Sequence, residues 1–188
     1  MYDQSLLSLE RFRTYHTQLF INRDPHFYLA FQIEALFIRF LQNIEADRLS
    51  ICDQSIYSIL AYSRVLSERG LLSNPYYQTF YAAFLTLRAY ASWPALVIQF
   101  TCDPAVAHSR LVERARPHEV TAYTQQFLSE LKESYAAVIR DIPAEVPTVT
   151  IDTSAMTRQQ AVEEIETILN AHQSRHTEPR NDSVSHGS

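Results

Sequence analysis

The segment PALVIQF, residues 94–100, constrains the fold of this chain more than any other feature of the sequence. It is almost continuously apolar and carries no charge, which is typical of a strand buried on both faces of a parallel sheet. Two shorter strand candidates are VPTVTID (146–152) and RLSIC (48–52). Because predicted helices separate the three strands, we expect a three-layer α/β fold with helices on both faces of a parallel sheet.

Helical periodicity is strongest over residues 26–46, where apolar side chains recur at spacings of three and four. A second apolar stripe on the same segment predicts a deeply buried helix. Further helices are predicted over residues 3–20, 55–69, 74–91, 104–115, 120–140 and 157–172. Gly70 is expected to end the helix that precedes it. Residues 173–188 are polar and predict a disordered tail, so residues 1–172 would form one domain.

Composition argues against several classes of protein. The formal net charge is −5, whereas broad affinity for nucleic acid needs clustered cations. The longest uncharged stretch, residues 70–87, is interrupted by polar residues, which argues against a membrane span. The first residues lack the continuous apolar core of a signal peptide. With Cys52 and Cys102 expected as buried free thiols, we expect a cytoplasmic protein.

Asp53 follows the predicted strand RLSIC directly, and ligands of open parallel sheets bind beyond the carboxyl ends of the strands. A carboxylate at this place could bind Mg²⁺ or a substrate hydroxyl. It could equally well cap the next helix, a role for which Ser55 is also suited. Asp103 and Asp152 occupy similar places after the other two strands, and we predict that both act as caps.

Gln32 and Arg39 are seven residues apart, so a helix places them on one face, about 10 Å apart along its axis. A glutamine amide can pair with the edge of a base. An arginine beyond it could then reach a sugar hydroxyl or a phosphate. Alternatively, both side chains form a solvated stripe on the surface of the helix.

The segment RLVERARPHE, residues 110–119, gathers several guanidinium groups. Arg110 and Arg114 are one helical turn apart, and Arg116 follows in a loop. Such a group can neutralise charge on a transferring phosphate. The alternative is an exposed helix with an ion pair between Arg110 and Glu113.

In order and spacing, these segments resemble the deoxynucleoside kinase family over residues 18–152. The resemblance is carried by LFINRDPHFYLAFQIEALFIRF, DQSIYS, GLLSNPYYQTFYAAF and ALVIQFTCDPAVAHSRLVERARPHE. It implies a P-loop-kinase-like fold and phosphoryl transfer from ATP, with Mg²⁺, to the 5′-hydroxyl of a deoxynucleoside in nucleotide salvage. It also implies these roles: Gln32 reads the base, Arg39 lies near the 5′-hydroxyl, Asp53 is the catalytic acid and a tentative Mg²⁺ ligand, Arg110, Arg114 and Arg116 form the phosphate-binding lid, and Glu119 binds the 3′-hydroxyl.

The chain departs from the family pattern at several points. Gln54 replaces an arginine, and Ile59 replaces an aspartate. The P-loop sequence G-x-x-x-x-G-K-[ST] does not occur, since the sequence has two glycines and its one lysine is Lys132. We therefore expect that the first βαβ unit is missing and that this polypeptide turns over slowly or not at all. The alternative is a non-catalytic nucleoside-binding or accessory subunit; the sequence does not decide the preferred base or whether a homodimer forms.

Overall fold

A computed structural model of the chain describes residues 24–46, 50–114, 120 and 122–177. The predicted helix over residues 3–20 lies outside them. The helices are α1 (Pro25–Ile44), α2 (Ile56–Glu68), α3 (Asn74–Arg88), α4 (Pro104–Glu113), α5 (Gln125–Ile139) and α6 (Arg158–Thr177). The strands are β1 (Val97–Thr101) and β2 (Thr148–Asp152). The predicted order of helices and the two later strands is thus confirmed for this part of the chain.

Strands β1 and β2 form a parallel pair, with Val97 opposite Thr148 and Thr101 opposite Asp152. The crossover between them contains α4 and α5, as the alternation of strands and helices predicted. The result is a helix-rich α/β fold with a small parallel sheet, consistent with a P-loop-kinase-like architecture.

The predicted strand RLSIC is not observed where the structure describes it. Residues 50–52 are not in a strand, and Ile51 is 81% exposed; the first two residues of the segment lie outside the described ranges. A strand exists only through hydrogen bonds to a neighbour. In the described ranges β1 and β2 pair only with each other, so this segment has no strand beside it.

The prediction that β1 is buried on both faces is wrong. Its residues are half-buried, and Phe100 is 52% exposed, although Ile151, paired with it on the same face, is buried. Among the described residues the sheet has two strands, so each strand has one open edge. A side chain on such an edge is covered from one flank only.

The core lies among the helices rather than on the sheet. Helices α1, α2, α3 and α5 pack together and bury two groups of side chains. One group contains Leu36, Ile56, Ile59, Leu60, Ala61, Phe80, Phe84 and Val138, and the other contains Tyr28, Val65, Leu66, Leu72, Phe127 and Leu131. Burying one such large side chain stabilises a fold by about 1.5–3 kcal/mol, so this helical core is the main source of stability.

Helix α1 is buried on one face only, which corrects the prediction of burial nearly all round. Tyr28 and Leu36 are buried, whereas Phe37 and Ile44 are each about half exposed. The described neighbours, α2 and α3, cover one side of this helix. Consequently the first apolar stripe of α1, which contains Phe37 and Ile44, is exposed at these positions, whereas the second stripe is half-buried; its residues are Phe27, Phe31, Ile38 and Leu41.

Helix ends follow local chemistry. Ser55 caps α2 through its hydroxyl, and Gly70, with φ +69°, follows the end of that helix in the left-handed conformation that glycine adopts without strain. Asp103 caps α4 by accepting from the backbone N–H of Ala105, as predicted.

Helix α6 extends to Thr177, so residues 173–177 of the predicted tail are helical, and residues 178–188 lie outside the described ranges. Of the helices described, none combines the length and hydrophobicity that a bilayer crossing requires.

Candidate functional site

Hydrogen bonds from Arg39 connect helix α1 to the segment that contains Asp53. Its Nη1 donates to the backbone oxygen of Asp53 at 3.0 Å and to Oε1 of Gln42 at 2.8 Å, and its Nη2 donates to Oε1 of Gln54 at 3.1 Å. All three acceptors are neutral oxygens, and no described carboxylate forms an ion pair with this guanidinium. The site therefore holds a positive charge in a fixed orientation without neutralising it.

Gln54 stands where the family pattern has an arginine, and its backbone is strained. Its φ is +66°, in the left-handed region, which costs a residue with a Cβ about 1–2 kcal/mol. The hydrogen bond from Arg39 to the Gln54 side chain helps to hold this conformation. At this residue the chain turns from the end of the segment RLSIC toward the start of α2.

The carboxylate of Asp53 is not the cap of α2, so the capping role that the sequence left open for it does not apply. Ser55 is the cap, because its Oγ accepts from the N–H of Tyr57 at 3.2 Å and its own N–H donates to Ser58. Asp53 is exposed, and its side chain makes no hydrogen bond to a described residue. The carboxylate is thus available to a ligand.

Gln32 is buried, with 4% of its surface exposed, which excludes the solvated stripe for this residue. Its Oε1 accepts a hydrogen bond from the Ser63 hydroxyl of α2 at 3.1 Å. Its Nε2 has no hydrogen-bond partner among the described residues. Leaving a buried donor unpaired costs about 1–3 kcal/mol, so this amide is the strongest sign of a ligand in the described structure.

Tyr135 of α5 is a further candidate residue that was not predicted from the sequence. Its hydroxyl hydrogen-bonds to Ser58; burial raises the pKa of Tyr135, while the hydrogen bond to Ser58 acts in the opposite direction. The charge of Asp53 also raises the pKa of this phenol, and that of Arg39 lowers it. The only signal in the sequence is that Tyr135 follows Leu131 by four residues on the buried stripe of the helix.

Arg110, one of the predicted lid arginines, forms hydrogen bonds with the segment that follows β2. Its Nη2 donates to the backbone oxygens of Thr153 at 2.8 Å and Met156 at 3.0 Å, so it ties α4 to the segment after β2. These contacts replace the alternative pair with Glu113. Arg114 is exposed at the end of α4. Arg116 and Glu119 lie outside the described residues, and the roles of Arg110, Arg114, Arg116 and Glu119 remain predictions.

The prediction that Asp103 and Asp152 both act as helix caps holds for Asp103 only, because α6 begins at Arg158, six residues after Asp152. Asp152 accepts hydrogen bonds from the backbone N–H and the hydroxyl of Ser154, and these bonds lower the pKa of its carboxyl group. A shallow cleft of about 550 Å³ opens at the other ends of the strands, between Trp93 and Pro147. It contains none of the predicted site residues.

The described residues fit a magnesium ion only in part. They contain no group of three His, Cys, Asp or Glu placed to hold a metal. Mg²⁺ is commonly bound by one or two carboxylates together with substrate phosphates, and the exposed Asp53 fits the role of such a single ligand. The described residues do not contain the glycine-rich loop that holds a donor triphosphate in P-loop enzymes, because Gly70, the one glycine in the described ranges, follows the end of α2.

Comparison with known proteins matches residues 10–175 to the family described as deoxynucleoside kinase. This chain belongs to the deoxynucleoside kinase family. It is 29% identical over 136 residues to the deoxyadenosine kinase of Dictyostelium discoideum, covering 70% of this chain and 55% of that protein. It is 25% identical over 127 residues to the thymidylate kinase of Mycoplasmoides gallisepticum, covering 64% and 56%.

The chain spans about half the length of these two curated relatives. Membership of the family confirms the resemblance found in the sequence, and with it the α/β fold class. The structure joins Arg39 to the backbone of Asp53 and places Gln32 on the same helix as Arg39. It leaves the lid as a prediction from the sequence.

Proposed function

We propose that this chain binds a deoxynucleoside and forms the acceptor side of a kinase that phosphorylates the 5′-hydroxyl in nucleotide salvage. The observation that carries the proposal is the buried Gln32, whose Nε2 has no partner among the described residues. Membership of the deoxynucleoside kinase family supports the choice of ligand.

In this proposal the side chains act in order along α1. Gln32 pairs with the edge of the base, since an amide offers a donor and an acceptor side by side. Arg39, two turns further on, lies near the 5′-hydroxyl and fixes the Asp53 turn through the backbone oxygen. That arrangement leaves the Asp53 carboxylate free to accept a hydrogen bond from the hydroxyl or to contribute one ligand to Mg²⁺.

The phosphate-binding lid would come from Arg110, Arg114 and Arg116, with Glu119 on the 3′-hydroxyl. Guanidinium groups suit this task because their planar fork matches phosphate oxygens. Arg110 would have to exchange its contacts with Thr153 and Met156 for a phosphate. The family implies ATP as the donor, and ATP would supply the phosphoryl group when bound.

We further propose that this polypeptide alone has little or no turnover. Positioning and charge stabilisation supply most of phosphoryl-transfer catalysis, and the sequence contains no P-loop to position the donor. The second candidate function is a non-catalytic nucleoside-binding or accessory subunit. It is favoured by Ile59, which is buried in the apolar helical core where the family pattern has an aspartate.

Calorimetric titration with the natural deoxynucleosides, beside a coupled kinase assay, tests both proposals. Gln32→Leu removes the amide and keeps a side chain of similar volume. We expect the deoxynucleoside to bind at least about tenfold more weakly, because the polar edge of its base loses its hydrogen-bond partner. Gln159→Leu, on the exposed face of α6, is the matched control and should bind like the wild type. Failure of the wild type to bind any deoxynucleoside would contradict the proposed function. Turnover of roughly 1 per second or more would contradict the proposed inactivity.

A further inference from the structure

Ser63 is not among the residues predicted for the site, yet its side chain forms a hydrogen bond with that of Gln32. It belongs to α2, is completely buried, and donates its hydroxyl hydrogen to Oε1 of Gln32 at 3.1 Å. The two residues are 31 positions apart, so the contact is created by the packing of α1 against α2. It is the hydrogen bond that Gln32 makes with its side chain among the described residues.

The orientation of a glutamine amide decides what it can recognise. An amide has an acceptor end with two lone pairs and a donor end with two N–H groups. With Ser63 on one lone pair of Oε1, both N–H groups of Nε2 and the second lone pair of Oε1 have no partner among the described residues. If the amide rotated by half a turn, the oxygen would become the open end and the site would favour a different base edge.

We infer that Ser63 is a positioning residue that fixes the amide of Gln32 and so selects the base edge the site accepts. The inference rests on the proposed function. The selected edge has a hydrogen-bond acceptor opposite Nε2. A donor beside it can use the second lone pair of Oε1, which Ser63 leaves open.

The chain offers a matched control for Ser63. Ser134 of α5 is also a buried serine, with a hydroxyl that donates to the backbone oxygen of Ala61 at 3.0 Å. Its acceptor is a backbone atom, so its loss affects packing and stability but orients no side chain toward a ligand. Ser63→Ala and Ser134→Ala therefore remove comparable groups with different predicted consequences.

The first measurement needs no ligand. In ¹⁵N-labelled protein, the side-chain NH₂ resonances of Gln32 are assigned by their loss in Gln32→Leu. We expect Ser63→Ala to shift or broaden these resonances, Ser63→Thr to restore them, and Ser134→Ala to leave them in place. Unchanged Gln32 resonances in a folded Ser63→Ala variant would overturn the inference.

The second measurement is the dissociation constant of each natural deoxynucleoside by calorimetry. Ser63→Ala loses one orienting hydrogen bond. In this variant the ratio between the dissociation constants of the weakest-binding and the tightest-binding deoxynucleoside should decrease by about threefold to tenfold. Ser63→Thr, which keeps the hydroxyl, and Ser134→Ala should keep the wild-type ratio. A ratio in Ser63→Ala equal to that of the wild type would overturn the specificity role. A wild type that binds none of the bases would instead overturn the proposed function, and the resonances would still decide whether Ser63 orients Gln32.

Discussion

Replacement of Arg39 by lysine should loosen the Asp53 turn while leaving the charge of the site unchanged. Lysine carries the same charge, but its single ammonium group cannot span the oxygens that the guanidinium joins. The substitution therefore removes the bonds to Asp53 and Gln54, the two that connect α1 to the turn. The left-handed backbone of Gln54 would then lose the side-chain bond that helps to hold it.

The magnitude follows from the number and exposure of these bonds. A hydrogen bond from a charged group contributes about 1.5–3 kcal/mol when it is well buried. Arg39 is half-buried, so we take about 1 kcal/mol for each of the two bonds and expect a loss of about 2 kcal/mol in the free energy of unfolding. For a chain of this size that corresponds to a decrease of about 4–8 °C in Tm.

Urea unfolding followed by circular dichroism measures this loss. The matched control is Arg64→Lys, since Arg64 forms an exposed pair with Glu68 on α2 and such pairs contribute about 0.5 kcal/mol or less. Because the acceptors of Arg39 are neutral, the effect of Arg39→Lys should be the same at acidic and neutral pH. A change below about 0.5 kcal/mol, or one that disappears in acid, would refute the reasoning.

Three further predictions concern the helical core and its edges. Leu36→Ala should lower the free energy of unfolding by about 2–5 kcal/mol because Leu36 is fully buried. Phe37→Ala, at an exposed position of α1, should lower it by less than about 1 kcal/mol. Thermal unfolding of both variants measures the difference. The hydrogen bond from Arg69 lowers the pKa of Glu130, so this carboxylate stabilises the fold above its unfolded pKa and the stabilisation is lost as the pH falls through the lower folded value. Glu130→Gln should therefore be less stable than the wild type at neutral pH and equal to it in acid; an equal difference at both pH values would contradict this assignment. Tyr135→Phe should cost about 1 kcal/mol by removing a buried hydrogen bond into α2, and denaturant titration at pH 7 would show no loss if that bond were absent.

The helices could be predicted from the sequence because their signals are local. The apolar spacing within residues 26–46, the serine before α2 and Gly70 after it are all within one or two turns of the structure they determine. The strand RLSIC and the burial of β1 could not be predicted in the same way. Whether a strand forms and how deeply it is buried depends on neighbours that the segment itself does not encode.

The candidate site also combines features that are local in the sequence with contacts between distant residues. The seven-residue spacing of Gln32 and Arg39 is a local property of one helix, and it indicated correctly that they belong to one element. Their partners Ser63 and Gln54 lie 31 and 15 positions further along the chain. Periodicity indicates that a residue is buried but not what it contacts, so these partners became visible only in the packed structure.

The pairing of β1 with β2 has a consequence for how the chain is made. The paired residues are about 50 positions apart, so β1 leaves the ribosome well before its partner exists. At a synthesis rate of roughly 5–20 residues per second, the interval is about 3–10 s. During that time Phe100 and its apolar neighbours on the nascent strand are accessible to chaperones, while helices α1 to α3 are already able to pack.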